Sequence, residues 1–223
     1  GGLIATGRWG PLRHSSGTLR DLLIGISVAH ASGTVTKAGG MVVKNVTGYD
    51  MPRLYHGSLG TLGIIASANF KVLPRPRAET TLVAGYATAG EAFESAARVR
   101  NSGDPTAALE VGFSGSQWLL AARVEGRERT VQAIAGRISG LTGADIALGP
   151  DESAAWWNSY VANLDPATTP GEVTIRLGIR PRATRALVEG LLPVLEALNA
   201  QVTALGATPA VGSVLVRLRL GEG

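Results

Sequence analysis

The spacing of apolar positions changes character along the chain. Residues 1–20 show no period; they are rich in Gly, Ser and Thr, contain Pro11, and read as loop rather than helix. Leu22, Ile24, Ile26 and Val28 then alternate with Leu23, Gly25 and Ser27, which is the period of a strand. Ser32-Gly33 supplies a turn and Val35 begins a return, so a β-hairpin is predicted. Gly39 to Gly63 is punctuated by glycine, with a short helix predicted around Met51 to His56. Ile64, Ala66, Ala68, Phe70 and Val72 fall on one face of a further strand, with Ser67, Asn69 and Lys71 on the other. Pro74-Arg75-Pro76-Arg77 ends that strand and forbids helix, which makes it a short stiff linker.

Beyond the linker, long amphipathic segments take over. Residues 82–87 read as a strand. Thr88 and Glu91 have the spacing of a capping box, opening a helix with Ala92, Phe93, Ala96 and Ala97 inward. Strands are predicted near 108–113 and 117–124. A helix follows with Val131, Ile134, Ala135, Ile138 and Leu141 on one stripe, then a short strand near 144–148. The order β-α-β-β-α-β is the ferredoxin-like pattern. Next come a helix over 151–163 with Trp156, Trp157 and Tyr160, and a strand over 172–179. A further helix has Leu187, Leu191, Val194, Leu195 and Leu198 inward and Pro193 as a kink. A last strand carries Val214, Val216, Leu218 and Leu220 on one face. The pattern predicts two domains, 1–77 and 78–223.

Composition narrows the classes of function. The 223 residues carry a formal charge of +4, spread as scattered Arg rather than a block. A nucleic-acid module would need clustered Lys/Arg with interleaved aromatics, so that class is set aside. Arg does suit the binding of carboxylate and phosphate. The absence of Cys excludes disulfides, cysteine-ligated metals and thiol catalysis, and fits a reducing compartment. No apolar run reaches the length of a membrane span, and no secretory leader is visible. The three His are dispersed without metal-ligand spacing. The first residues read like the middle of a motif, and the chain reads as a fragment at both ends.

Three segments could carry chemistry. Gly1-Gly2-Leu3-Ile4-Ala5-Thr6-Gly7 would let backbone approach a ligand and cradle phosphate through its N–H groups, or simply form a tight turn. Lys44-Asn45-Val46-Thr47-Gly48-Tyr49-Asp50 is followed by Arg53. Gly57-Ser58-Leu59-Gly60-Thr61-Leu62-Gly63-Ile64 leads glycine-rich backbone straight into a strand, as a contact to a planar heterocycle or as structural turns.

With Ser16-Gly17-Thr18-Leu19-Arg20-Asp21-Leu22-Leu23-Ile24-Gly25 between the first two, these motifs stand in the order found in the vanillyl-alcohol oxidase superfamily. Residues 1–77 resemble its PCMH-type FAD-binding fold, and within it the FAD-binding subunits of bacterial glycolate oxidases. The resemblance implies an α+β fold: the second subdomain of a PCMH-type FAD-binding domain followed by a ferredoxin-like α+β cap. It implies FAD as cofactor, with Gly1, Gly2, Ala5, Thr6 and Gly7 along the pyrophosphate and ribityl chain. Gly63 and Ile64 would give the backbone contact to the flavin, while Asp21 and Gly25 shape the site. The family's other phosphate loop would lie upstream of Gly1.

The implied activity is oxidation of a 2-hydroxy acid such as glycolate; the alternative is a non-catalytic FAD-holding or assembly subunit. The implied partners are a second flavoprotein subunit and an iron–sulfur subunit. The implied location is cytoplasmic, or peripheral to the inner membrane through those partners. No residue is assigned as catalytic base. His14 either approaches the flavin or a substrate carboxylate, or is an exposed loop residue; Arg53 either binds an anionic substrate or pairs with Asp50. Lys44 and Asn45 line the site, or, for Asn45, turn chemistry explains the residue. Trp156 and Trp157 either pack the cap or roof the flavin. His56 favours the helix C-terminal dipole, and His30 is structural.

Overall fold

The computed structural model describes residues 1–41, 49–165 and 169–221, which fall into two units, Gly1–Arg75 and Pro76–Gly223. The first holds three one-turn helices, α1 (Gly2–Ala5), α2 (Arg13–Ser16) and α3 (Leu19–Leu22). It continues with β1 (Leu23–Ala29), β2 (Val35–Gly39), α4 (Met51–Tyr55) and β3 (Ile64–Phe70). The strands form an antiparallel sheet in the order β2-β1-β3, and the expected hairpin is β1–β2.

Two expectations fail here for local reasons. Residues 1–20 are not simply loop. The amide of Ala5 donates to the Gly1 carbonyl at 2.9 Å, closing α1. Before α3, the Asp21 carboxylate accepts from both the N–H and the hydroxyl of Thr18, at 2.8 Å each. Apolar periodicity cannot show a single turn held by such bonds. Nor does Ile64 lie on a buried face. Register shifts on both sides of the β1–β3 ladder bring Val28 opposite Ile65 and Ile26 opposite Ala68. The inward set is therefore Leu23, Ile26, Val28, Ile65 and Ala68, around Ile4 and Tyr55, while Ile64 is exposed. A bulge resets which side chains face the core, and strict alternation misses it.

The second unit begins with β4 (Ala78–Tyr86), α5 (Ala89–Ser102), β5 (Ala108–Phe113), β6 (Trp118–Gly126), α6 (Glu128–Thr142) and β7 (Ile146–Leu148). Thr88 caps α5 as its spacing predicts. The Glu91 amide donates to its hydroxyl at 3.2 Å, and its own amide donates to the Glu91 carboxylate at 3.1 Å. The strands lie in the order β7-β4-β6-β5, which is the ferredoxin-like arrangement. Then follow α7 (Pro150–Asn163), β8 (Glu172–Gly178), α8 (Thr184–Ala197), β9 (Ala200–Thr208) and β10 (Ser213–Leu220).

These last strands extend the sheet as β5-β9-β10-β8. The segment β8-α8-β9-β10 thus repeats β4-α5-β5-β6, and the halves meet where Gly112 pairs with Gly206 on antiparallel β5 and β9. Even an ion pair recurs. Arg123 on β6 binds Glu79 on β4, and Arg217 on β10 binds Glu172 on β8, both at 2.6 Å. α5, α6 and α8 cover one face through Phe93, Ile134, Ile138, Val188 and Leu195. α7 covers part of the other through Trp157, Tyr160 and Leu164.

The pattern misses β9, whose Ala204, Gly206 and Ala207 leave little alternation to read. It also places Val194, Leu198 and Leu220 inward, whereas all three are exposed. α8 turns only Thr184, Val188 and Leu195 fully inward, and the strand β10 ends at Leu220.

Candidate functional site

In the first unit the fold brings two of the three motif segments together. The amide of Gly57 donates to the Ile4 carbonyl at 2.9 Å, and that of Leu59 to the Ala5 carbonyl at 2.8 Å. The glycine-rich loop before β3 is thereby stitched to α1, whose Ile4 anchors it in the core. The backbone needs glycine here for specific reasons. Gly7 has φ +61°, and a Cβ on it would stand 3.3 Å from the His56 ring. Gly63 has φ +141°, and a Cβ would stand 2.7 Å from the Ala29 carbonyl oxygen. Leu59 adopts φ 54° without being glycine, a conformation that costs a side-chain residue energy and here accompanies its bond to Ala5.

The remaining candidates are placed as follows. Gly1 and Gly2 are exposed, and no atom lies near where a Gly2 side chain would project. Ala5 is half-buried. Thr6 is exposed and its hydroxyl donates to the Gly2 carbonyl at 2.9 Å. Ile64 leaves the loop with its side chain exposed. Lys44 and Asn45 lie outside the described residues, as does the rest of that motif up to Gly48. Arg53 takes the ion-pair reading, with Nε 2.8 Å from the Asp50 carboxylate. His14 is half-buried in α2, and burial pushes its pKa down. His30 bonds the Thr36 hydroxyl at 2.7 Å.

One feature escaped the sequence reading. Arg13, Arg20, Arg53 and His56 line a cleft of about 610 Å³ with Trp9 and Thr18. These residues come from α2, α3, α4 and the loops between them, so no local spacing reveals them. Burial, then the neighbouring Arg20 charge, holds the His56 pKa below its usual value, with Asp21 opposing. The Thr18 amide and hydroxyl hold the Asp21 carboxyl below the usual carboxylate range.

The second unit has its own cavity, about 470 Å³, beside β9, β10 and α7. Trp156 stacks on Tyr160 at 5.3 Å along its wall. Trp157 instead belongs to the core, its indole N–H donating to the Thr81 hydroxyl at 2.8 Å. Behind Tyr160, Glu110 is buried. Thr208 and Tyr160 donate to its carboxylate at 2.5 and 3.1 Å, and burial nevertheless pushes its pKa up to about 7. Among the described residues no group of His, Cys, Asp or Glu could hold a metal ion, and no helix is long and apolar enough to cross a membrane.

No protein-family model matches the chain. Among solved structures, an alkyldihydroxyacetonephosphate synthase superposes on 98% of this chain and 50% of its own with a TM-score of 0.65, at 16% identity. Berberine bridge enzyme from Eschscholzia californica covers 100% of this chain and 51% of its own, with a TM-score of 0.62 at 17% identity. At this level of identity the likeness is one of fold: the chain has the α+β fold of these proteins over nearly its whole length.

The sequence is similar to glycolate oxidase subunits. The subunit GlcE of Escherichia coli (strain K12) is 38% identical over 133 residues, 60% of this chain and 37% of that protein. The subunit GlcD of Bacillus subtilis (strain 168) is 46% identical over 70 residues, 31% of this chain and 15% of that protein. A D-lactate dehydrogenase of Archaeoglobus fulgidus is 31% identical over 128 residues, 53% and 29% of the two chains. The chain matches well under half the length of these curated relatives.

Proposed function

We propose that this chain supplies part of the FAD site of a flavin-dependent oxidoreductase acting on a 2-hydroxy acid such as glycolate. The observation that carries this is the stitching of α1 to the Gly57–Gly63 loop, which joins the two segments that the family resemblance assigns to the cofactor. The residues fit a dinucleotide. At Gly2, Gly57 and Gly60 no protein atom lies near the missing side chain, and all three are exposed, so a ligand can approach bare backbone. Gly1, Gly2, Ala5, Thr6 and Gly7 would follow the pyrophosphate and ribityl chain, and Gly63 and Ile64 would face the ring system. FAD, when bound, supplies the two-electron chemistry; the protein's part is to hold and orient it.

The test is the visible spectrum of the purified chain after incubation with FAD and gel filtration, followed by anaerobic addition of glycolate and D-lactate. Retained flavin that bleaches supports the reading. Gly2→Val is expected to abolish flavin retention while leaving thermal stability unchanged, because its surroundings are open. Equal retention by this variant would place the cofactor elsewhere.

A second reading is a non-catalytic FAD-holding or assembly subunit of a larger dehydrogenase. It is supported by the similarity of the chain to two differently named subunits, GlcE and GlcD. It expects flavin that is retained but never reduced by any hydroxy acid, and co-purification with a second flavoprotein subunit and an iron–sulfur subunit.

A further inference from the structure

We propose that the cleft between α2, α3 and α4 is a binding site for a phosphate-bearing anion, held by the side chains of Arg13, Arg20, Arg53 and His56. The inference rests on these side chains, whereas the flavin reading rests on backbone; where the occupant is the dinucleotide's diphosphate, it deepens that reading. The cleft gathers three guanidinium groups and an imidazole against a single carboxylate, that of Asp21, which with Thr18 forms part of its wall. Bringing like charges together is unfavourable unless something negative offsets them.

The acids at hand are already engaged. Asp50 binds Arg53 at 2.8 Å, and Asp21 accepts both the amide and the hydroxyl of Thr18. No carboxylate pairs with Arg20 within ion-pairing distance among the described residues, and the influence of Arg20 reaches both His56 and Asp21. Arg13 is fixed in orientation, its guanidinium lying over the Trp9 ring at 4.2 Å. The Nε2 of His56 is buried and has no hydrogen-bond partner among the described residues. An imidazole nitrogen in that condition is stabilised by an incoming donor or acceptor.

The chemistry selects the ligand. A guanidinium presents a planar fork that binds oxyanions bidentately. The forks of Arg13 and Arg20, approaching from two elements with Arg53 beside them in its pair with Asp50, match a phosphoryl group, with its three oxygens arranged around phosphorus, better than a flat carboxylate with two. A volume of about 610 Å³ has room for more than one phosphoryl group, so a diphosphate or a phosphate ester can be accommodated. Two sources share this chemistry: the diphosphate of the dinucleotide proposed above, and a separate phosphate ester.

The experiment is calorimetric titration of the full chain with inorganic pyrophosphate and with ADP, with and without saturating FAD. Saturable binding is expected, weakening as salt rises. Arg20→Gln is expected to weaken it roughly tenfold or more, the loss of a charge-assisted hydrogen bond. Arg20→Lys keeps the charge but not the fork and is expected to fall between the two. It also serves if the Gln variant fails to fold, and Arg185→Gln on α8 should leave binding unchanged. If FAD competes with pyrophosphate, the occupant is the dinucleotide's diphosphate; if both bind together, it is a separate ester. Absence of saturable binding of either probe, or affinity indifferent to both Arg20 variants, overturns the proposal. Flavin retention is read separately by absorbance, so failure of one proposal is distinguishable from failure of the other.

Discussion

The two units solve the same problem with unequal means. The second buries Ile138, Leu109, Leu120, Val188 and Leu205 completely or nearly so, between a seven-stranded sheet and long helices. Among its described residues the first has three strands, one-turn helices and a small core around Ile4, Leu23, Ile26, Val28 and Tyr55, with Leu3, Leu59, Ile64 and Val72 exposed. Its shape rests on glycine geometry and hydrogen bonds among loops rather than on buried area. That division suits the role proposed for the first unit, whose backbone would stay open to a ligand, and a rigid sheet in the second. Regions with few buried apolar contacts are also the ones that open locally.

The sharpest way to break this comparison is to make one substitution in each core. Ile138→Ala, at 0% exposure, is expected to cost about 4 kcal/mol, near the upper end for such truncations. Ile26→Ala, at 4% exposure, is expected to cost about 2 kcal/mol, because a small core beside loops relaxes around the gap. Chemical denaturation of both variants checks this; equal losses would show that the first unit is as tightly packed as the second.

A smaller effect separates the units by pH. Glu110 lies fully buried in the second unit with its pKa raised to about 7, above the ordinary value of 4.5 that it recovers on unfolding. Its contribution is therefore fully present below about pH 4.5 and is lost as pH rises through about 7. The second unit should unfold at lower denaturant at pH 8 than at pH 5, by an amount of order 3 kcal/mol at most. Glu110→Gln should flatten that dependence. A profile unchanged by this variant would assign the pH sensitivity to another group.

The smallest expected effect compares two helix starts. Thr88→Ala removes a hydroxyl that accepts the Glu91 amide and should cost about 1 kcal/mol. Thr18→Ala should cost less, since the Thr18 hydroxyl donates to Asp21 and caps no backbone amide. Thermal melts of both variants decide between them.

The same contrast governs what could be read from the sequence. In the second unit the Thr88–Glu91 box, the stripe of Val131, Ile134 and Ile138, and the Val214, Val216, Leu218 face were all legible, because long elements repeat their period often enough to show it. The exception, β9, is built from small residues where α7 presses close. A Cβ on Gly206 would stand 2.7 Å from the Tyr160 hydroxyl, so apolar bulk was never available to mark the strand. In the first unit the motifs were legible as words but not as geometry. The link between Gly57 and Ile4 is a backbone bond across more than fifty residues, and the Arg20–His56 neighbourhood is made by three separate helices. Arg53 could be read either way, and its settlement on Asp50 came from a one-turn helix that brought them within reach.

The repeat within the second unit also has a consequence for how the chain reaches its native state. Within each half, the pairings β5–β6 and β9–β10 join neighbours in sequence and close short loops. The seam is different: Gly112 must find Gly206, so joining β5 to β9 closes a loop that contains β6, α6, β7, α7, β8 and α8. Loop closure of that length is slow compared with hairpin formation, and topology of this kind sets folding speed. The halves are therefore expected to assemble first and the central pair last. The order of events would run from the edges of the sheet inward, with α7 settling over the glycine pair only once the two halves have met.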